Sequence, residues 1–263
     1  MTLFLHLTLA LYALAFLKYM LYLFFRRDLI LRFGIGFTIL GILSNTALLV
    51  IRSSETGHGP YFSTFDNFIF FPWIIAILFL VVEFKHKIED LGSFILPIIL
   101  VVLSFAYVTP DVQGEFLKAP LWSTLHRTLS FVGYAHFGIL FGVSLMYLLQ
   151  EYHIKKKHFG ALYNRLPSLE VLDNVNHKAL IFGFTLYTLG FVTGSISSAT
   201  LSEDGGLSWN MQGTLPLVAI WLIFAGLFVS RIVLGFRRSP FAKWSIVASV
   251  AVIIALYQHI KLY

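Results

Sequence analysis

From Thr2 to Phe25 the chain is apolar apart from Lys18, and seven more stretches of that character follow, each with at most one Lys or Arg. They run roughly Leu29–Ile51, Asn67–Val82, Leu91–Val108, Leu121–Leu149, Ala179–Ala199, Leu215–Phe236 and Phe241–Ile260. Most are close to the ~20 residues that a helix needs to cross a ~30 Å hydrocarbon core. Backbone polar groups have no water partner there, so each segment must satisfy its own, which selects the α-helix. The alternative, a closed barrel, needs alternating strands of ~10 residues, and none is present. The expected fold is therefore all-α, a polytopic transmembrane helix bundle of eight spans forming one integral membrane domain over residues 1–263.

Composition agrees with this reading. With 58% hydrophobic and 12% charged residues and a mean hydropathy of +0.81, the chain lacks the polar surface of a soluble domain of 263 residues. The first apolar run has no basic region before it and no clear small-residue cleavage site, so it reads as an anchor span, not a signal peptide. Cysteine is absent, which excludes disulfides, thiolate metal sites and a direct part in thiol exchange.

The formal charge of +6 would suggest nucleic acid in a soluble protein; here it decorates the loops on one membrane face. Of the 19 Lys and Arg residues, all but Arg52, Lys118, Arg127 and Lys261 fall at alternate span ends, among them Arg26, Arg27, Lys85, Lys87, Lys155 to Lys157, Arg165, Arg231 and Arg238. This asymmetry puts both termini outside, along with the connections Arg52–Asp66, Thr109–Pro120 and Thr200–Thr214. The longest inner connection, Gln150–Lys178, is polar and carries Pro167 just before an expected helix start.

Topology sorts the histidines by depth. His6, His58, His126 and His259 lie at the outer face; His86, His153, His158 and His177 lie inside, the latter reading as solvated interface residues. His136 stands alone within the fifth span, ten residues and about 15 Å deeper than His126, where a hydrogen bond between helices is the expected role. His126, near the outer end of its span, is either a satisfied interfacial residue or a neutral imidazole able to ligate iron. No Asp or Glu sits at mid-depth, which disfavours ion-coupled transport. Gly-x-Ser-x-Gly, phosphate loops and HExxH are absent.

Three pieces of sequence carry a resemblance: LHRTLSFVGYA around His126 to Ala135, YLLQEYHIKKK at Tyr147–Lys157, and LPSLEVLD followed by the span reaching Gly194. A short outer loop, TLSEDGGLSWNMQGT, then holds a lone tryptophan, Trp209. In order and spacing these resemble the haem-handling membrane proteins of cytochrome c assembly, the CcsA/CcmC type with its HemX-like eight-span subgroup. The likeness is concentrated from about residue 121 to 221, with a family-like core at 121–263, and the first four spans match in hydropathy alone.

The family carries a WxWDPKET loop. Here Trp209 keeps its last tryptophan and Thr214 its threonine, while Asn210, Met211, Gln212 and Gly213 replace Asp, Pro, Lys and Glu. The resemblance implies a membrane protein that binds haem, of the b type, near the outer face. His126 and His259 would be its axial ligands, and Trp209, Tyr134 and Asn210 would contact the cofactor. It implies an apocytochrome c or another assembly subunit as partner, the inner membrane of a bacterium as location, and no catalytic activity beyond a share in haem attachment. The eroded tryptophan loop also suits a second reading: a haem-free regulator or scaffold, like the HemX-like accessory factors, acting through its cytoplasmic loop.

Overall fold

The computed structural model describes the backbone of residues 1–57, 59, 63–109, 121–160, 162–201, 211–236 and 238–261, and the side chains of these except 201, 211–213 and 253–261. The described residues form eight α-helices and no strand. In order they are α1 (Thr2–Phe25), α2 (Asp28–Thr56), α3 (Thr64–His86), α4 (Gly92–Ser104), α5 (Leu121–Lys155), α6 (Leu169–Leu201), α7 (Met211–Ile232) and α8 (Arg238–Lys261). A 3-10 turn, Phe105–Tyr107, extends α4.

Among the described residues six helical segments are long and apolar enough to cross a membrane: Thr2–Phe25, Asp28–Thr56, Thr64–His86, Leu121–Lys155, Leu169–Thr200 and Thr214–Ile232. The fourth expected span is shorter. The 13 residues of α4 cover only about 20 Å at 1.5 Å per residue. The inner connection is also shorter than its polarity suggests. Helix α5 continues to Lys155, where Lys155 bridges Glu151 at 2.9 Å one turn back. Helix α6 starts at Leu169, two residues after Pro167, with the Ser168 hydroxyl facing the Val171 amide at 3.4 Å.

The chain divides into two compact units, Met1–Leu117 with Leu149–Val171, and Lys118–Leu148 with Leu172–Tyr263. In the first unit α1 buries Leu5, Thr8, Tyr12, Ala15, Tyr19 and Tyr22, a seam spaced alternately by three and four residues that keeps one face on its neighbours. Lipid is as apolar as the side chains, so close packing, not water expulsion, holds such helices together. Gly92 of α4 illustrates this: a Cβ there would lie 2.6 Å from the Tyr19 ring.

Polar groups clamp the seam at both ends of this unit. Arg52 and Asp66, 1% and 0% exposed, pair at 2.9 Å, and Asp66 exchanges hydrogen bonds with Ser63 in a capping box that starts α3. At the basic end the Tyr19 hydroxyl donates to the buried Glu83 carboxylate at 2.7 and 2.9 Å. Arg26 donates to Asp90 (2.9 Å), Glu89 (3.1 Å) and the Arg165 carbonyl (2.6 Å). Arg165 in turn donates to the Leu23 carbonyl, so the connection between α5 and α6 is docked on the α1–α2 turn.

Candidate functional site

The second unit is organised by the antiparallel pairing of α5 and α6. Ser123 meets Ser197 at 2.5 Å, His126 bonds Gly190 at 2.7 Å, and Ser144 donates to Asn176 at 3.3 Å. Between these, a Cβ added to Gly133 would strike Tyr187, and one added to Gly183 would strike Phe137. Apart from the His126–Gly190 bond, these pairs keep one register, each step forward on α5 matched by an equal step back on α6. Small residues on one helix face larger ones on the other, and the backbones approach closely.

His126 sits in the second turn of α5, part-buried, and its ring lies on glycine. A Cβ on Gly194 would come within 2.5 Å of its Nδ1, and one on Gly190 within 2.5 Å of Ser130 Oγ. Glycine at 194 leaves room for the imidazole, and glycine at 190 leaves room for Ser130. The Gly190 carbonyl can only accept, so His126 Nδ1 carries a proton. The Thr193 hydroxyl donates to that same carbonyl at 2.9 Å. Metal-bound histidines characteristically have one ring N–H committed to a carbonyl or carboxylate, which fixes tautomer and ring orientation. The residues present therefore fit a metal-ligating role for His126.

Tyr134 lies two turns further along α5 and is only 6% exposed. Its ring packs against Tyr187, centroids 5.0 Å apart, and against Phe137 at 6.5 Å. Tyr187 donates to the Leu217 carbonyl of α7 at 3.0 Å, and Phe137 stacks on Phe224 at 3.5 Å. Tyr134 is thus a core residue that holds α6 behind His126. Trp221 adds a second tie to α7, donating to Thr188 at 3.0 Å.

Trp209 and Asn210 lie outside the described residues, as does His58. His259 falls within α8, but its side chain lies outside the described residues. His136 differs from the expected bond between helices: its Nδ1 pairs with the Val132 carbonyl one turn back on α5 at 2.8 Å. That carbonyl is the nearest acceptor to a histidine pointing back along its own helix. His6 behaves likewise, bonding Thr2 at 2.7 Å.

Two arrangements escaped the sequence reading. One is the glycine cradle at Gly190 and Gly194, which the three-and-four spacing of Gly183, Tyr187, Gly190, Gly194 and Ser197 does encode. The other is Arg231, 6% exposed, whose guanidinium grips Asp173 with two bonds of 2.7 and 2.9 Å and also donates to His177 and to the Phe236 carbonyl. It stacks over Phe241 at 4.6 Å, joining the ends of α6, α7 and α8.

Comparison with known proteins agrees in its direction. Residues 61–259 match the family described as cytochrome C assembly protein. The chain is similar to the protein HemX of Brevibacillus brevis, 27% identical over 231 residues that cover 85% of this chain and 82% of the relative. It is similar to the cytochrome c biogenesis protein CcsA of Guillardia theta, 27% identical over 222 residues, 76% of this chain and 72% of the relative. The CcsA of Prochlorococcus marinus strain MIT 9301 is 27% identical over 231 residues, covering 77% and 74%.

Proposed function

Because the chain belongs to the cytochrome c assembly protein family, we propose that it binds haem near the outer membrane face and holds or presents it for attachment to an apocytochrome c. It is an integral membrane protein, with six helices long and apolar enough to span among the described residues. In our reading it crosses eight times with both termini outside, in the cytoplasmic membrane of a bacterium, as one integral domain. It acts with another assembly subunit and without independent catalytic activity.

The observation that carries the reading is the His126 Nδ1–Gly190 carbonyl bond of 2.7 Å. It orients the ring through Nδ1, while the close approach of Gly194 sets the ring's position. His126 and His259 would hold the iron, with Trp209 and Asn210 of the 200–214 loop contacting the cofactor and Tyr134 supporting the site from the core. Haem b would supply an iron that imidazole can ligate and a flat apolar ring that a tryptophan can cover. This chain's part is to orient the imidazoles and to exclude water.

The purified protein should show a Soret band with bis-imidazole features. His126→Ala should remove the six-coordinate low-spin form, and added imidazole should restore part of it. His153→Ala, on the basic side, should leave the spectrum unchanged. A haem-free preparation from haem-replete cells, or a normal spectrum in His126→Ala, would overturn the outer site.

A second reading is favoured by the docked inner connection. Arg26 and Arg165 tie residues 162–166 to the α1–α2 turn, while Lys155 to Gly160 stay exposed. A fixed basic platform of this kind suits a haem-free regulator or scaffold that engages a partner from the cytoplasm. The absorbance spectrum separates the two.

A further inference from the structure

Along α7 and α8 a groove of about 420 Å³ opens to the side of the second unit. Its lining includes small residues, Gly226 and Ser230 on α7 and Ala248 and Ala251 on α8, together with Phe236 and Trp244. A Cβ built on Gly226 meets nothing within 4 Å, so the slot exists because that side chain is missing. The lining runs over eight residues of each helix, about 10 Å, starting near the turn that joins them. Arg238 and Lys243 are exposed at that end. The acidic residue near them, Asp173, is already gripped by Arg231 and also faces the Arg238 amide at 3.4 Å, so its charge is balanced. Two exposed cations thus lie between the lining residues Phe236 and Trp244 in sequence, on the face that the basic-residue asymmetry assigns to the cytoplasm.

We infer that this groove is a binding site for one anionic phospholipid, its phosphate held by Arg238 and Lys243 and one acyl chain lying on Gly226 between Phe236 and Trp244. Basic recesses between membrane helices on the cytoplasmic side suit anionic head groups, and Trp244, 58% exposed, sits where an indole favours the interface. The proposal does not depend on haem, and its failure would leave the His126 reading intact.

The test is native mass spectrometry of the full chain in detergent, titrated with phosphatidylglycerol or with phosphatidylcholine of the same acyl chains. One phosphatidylglycerol should bind with a preference of about fivefold for each of these cations. Arg238→Gln with Lys243→Gln should abolish the preference, and Gly226→Leu should weaken both lipids by filling the slot. As a readout independent of Gly226→Leu folding, brominated phosphatidylglycerol should quench tryptophan fluorescence more than brominated phosphatidylcholine, a difference that Trp244→Phe removes. Equal binding of the two lipids by the unaltered protein would reduce the groove to ordinary lipid contact and overturn the proposal. Unchanged phosphatidylglycerol binding in Gly226→Leu, with loss of an associated second chain, would overturn it in favour of a helix partner.

Discussion

His126 and Gly194 face each other across α5 and α6 so closely that a methyl group on Gly194 would lie 2.5 Å from His126 Nδ1. The ring cannot rotate away without giving up its 2.7 Å bond to the Gly190 carbonyl. Position, tautomer and orientation of the imidazole are thus set by the backbone of the neighbouring helix.

Gly194→Ala should therefore act as a histidine mutation without touching the histidine. The methyl group must push the ring aside, a packing conflict that costs about 1–3 kcal/mol, and haem content with the low-spin spectrum should fall towards that of His126→Ala. Gly36→Ala is the control: a Cβ there meets nothing within 4 Å, so it should gain helix propensity of up to about 1 kcal/mol and keep its spectrum. A full haem complement in Gly194→Ala would mean that the ring position is not set by α6.

The helices were legible in the sequence because apolar runs report the membrane directly, and α1 ends at the residues where its apolar run ends. Helix ends were legible only where apolarity stops with the helix. Residues 150–155 and 169–178 are polar yet helical, since outside the hydrocarbon a helix needs only capping and local pairs such as Glu151–Lys155. Residue type and depth pointed to His126, but mean apolarity carries no information about which face meets which helix. The glycine cradle needed the register of α5 against α6, and nothing in α5 alone encodes that.

The Arg52–Asp66 pair refines the topological argument. Arg52 counted among the few basic residues on the side opposite the majority, yet it is 1% exposed and its charge is met by Asp66 at 2.9 Å. Arg52→Leu should destabilise the protein by about 3–5 kcal/mol, because it strands a buried carboxylate. The double variant Arg52→Leu/Asp66→Asn should recover a large part of that loss. Thermal unfolding in detergent measures all three arms of the cycle, and additive losses would show that the pair is not coupled.

Asp90 makes the inner clamp sensitive to pH. It lies outside the spanning helices, and burial pushes its carboxyl up to about 6 despite the pull of Arg26, with Glu89 adding to the rise. The folded form then holds the proton more tightly than the unfolded chain, whose aspartate titrates near 3.9. The associated stability is complete below about pH 4 and is lost as pH rises through about 6. Melting temperature measured from pH 4 to pH 7.5 should carry a downward contribution that Asp90→Asn removes. An identical profile in that variant would assign the pH dependence to other groups.

The loop at 200–214 decides how far this chain keeps the chemistry of its family. A porphyrin covered by one indole has less flat apolar contact than one covered by several, so each remaining aromatic matters more. Trp209→Ala should lower haem retention by the equivalent of about 1.5–3 kcal/mol, the worth of a buried large side chain, seen as faster haem transfer to an apo-globin acceptor. Asn210→Asp restores the acidic residue that follows the tryptophan in the family loop. If the loop still follows family logic, that variant should retain haem longer than the unaltered protein. Unchanged transfer rates in both variants would return Trp209 to the aromatic belt of the membrane interface, leaving haem, if bound, to the histidines alone.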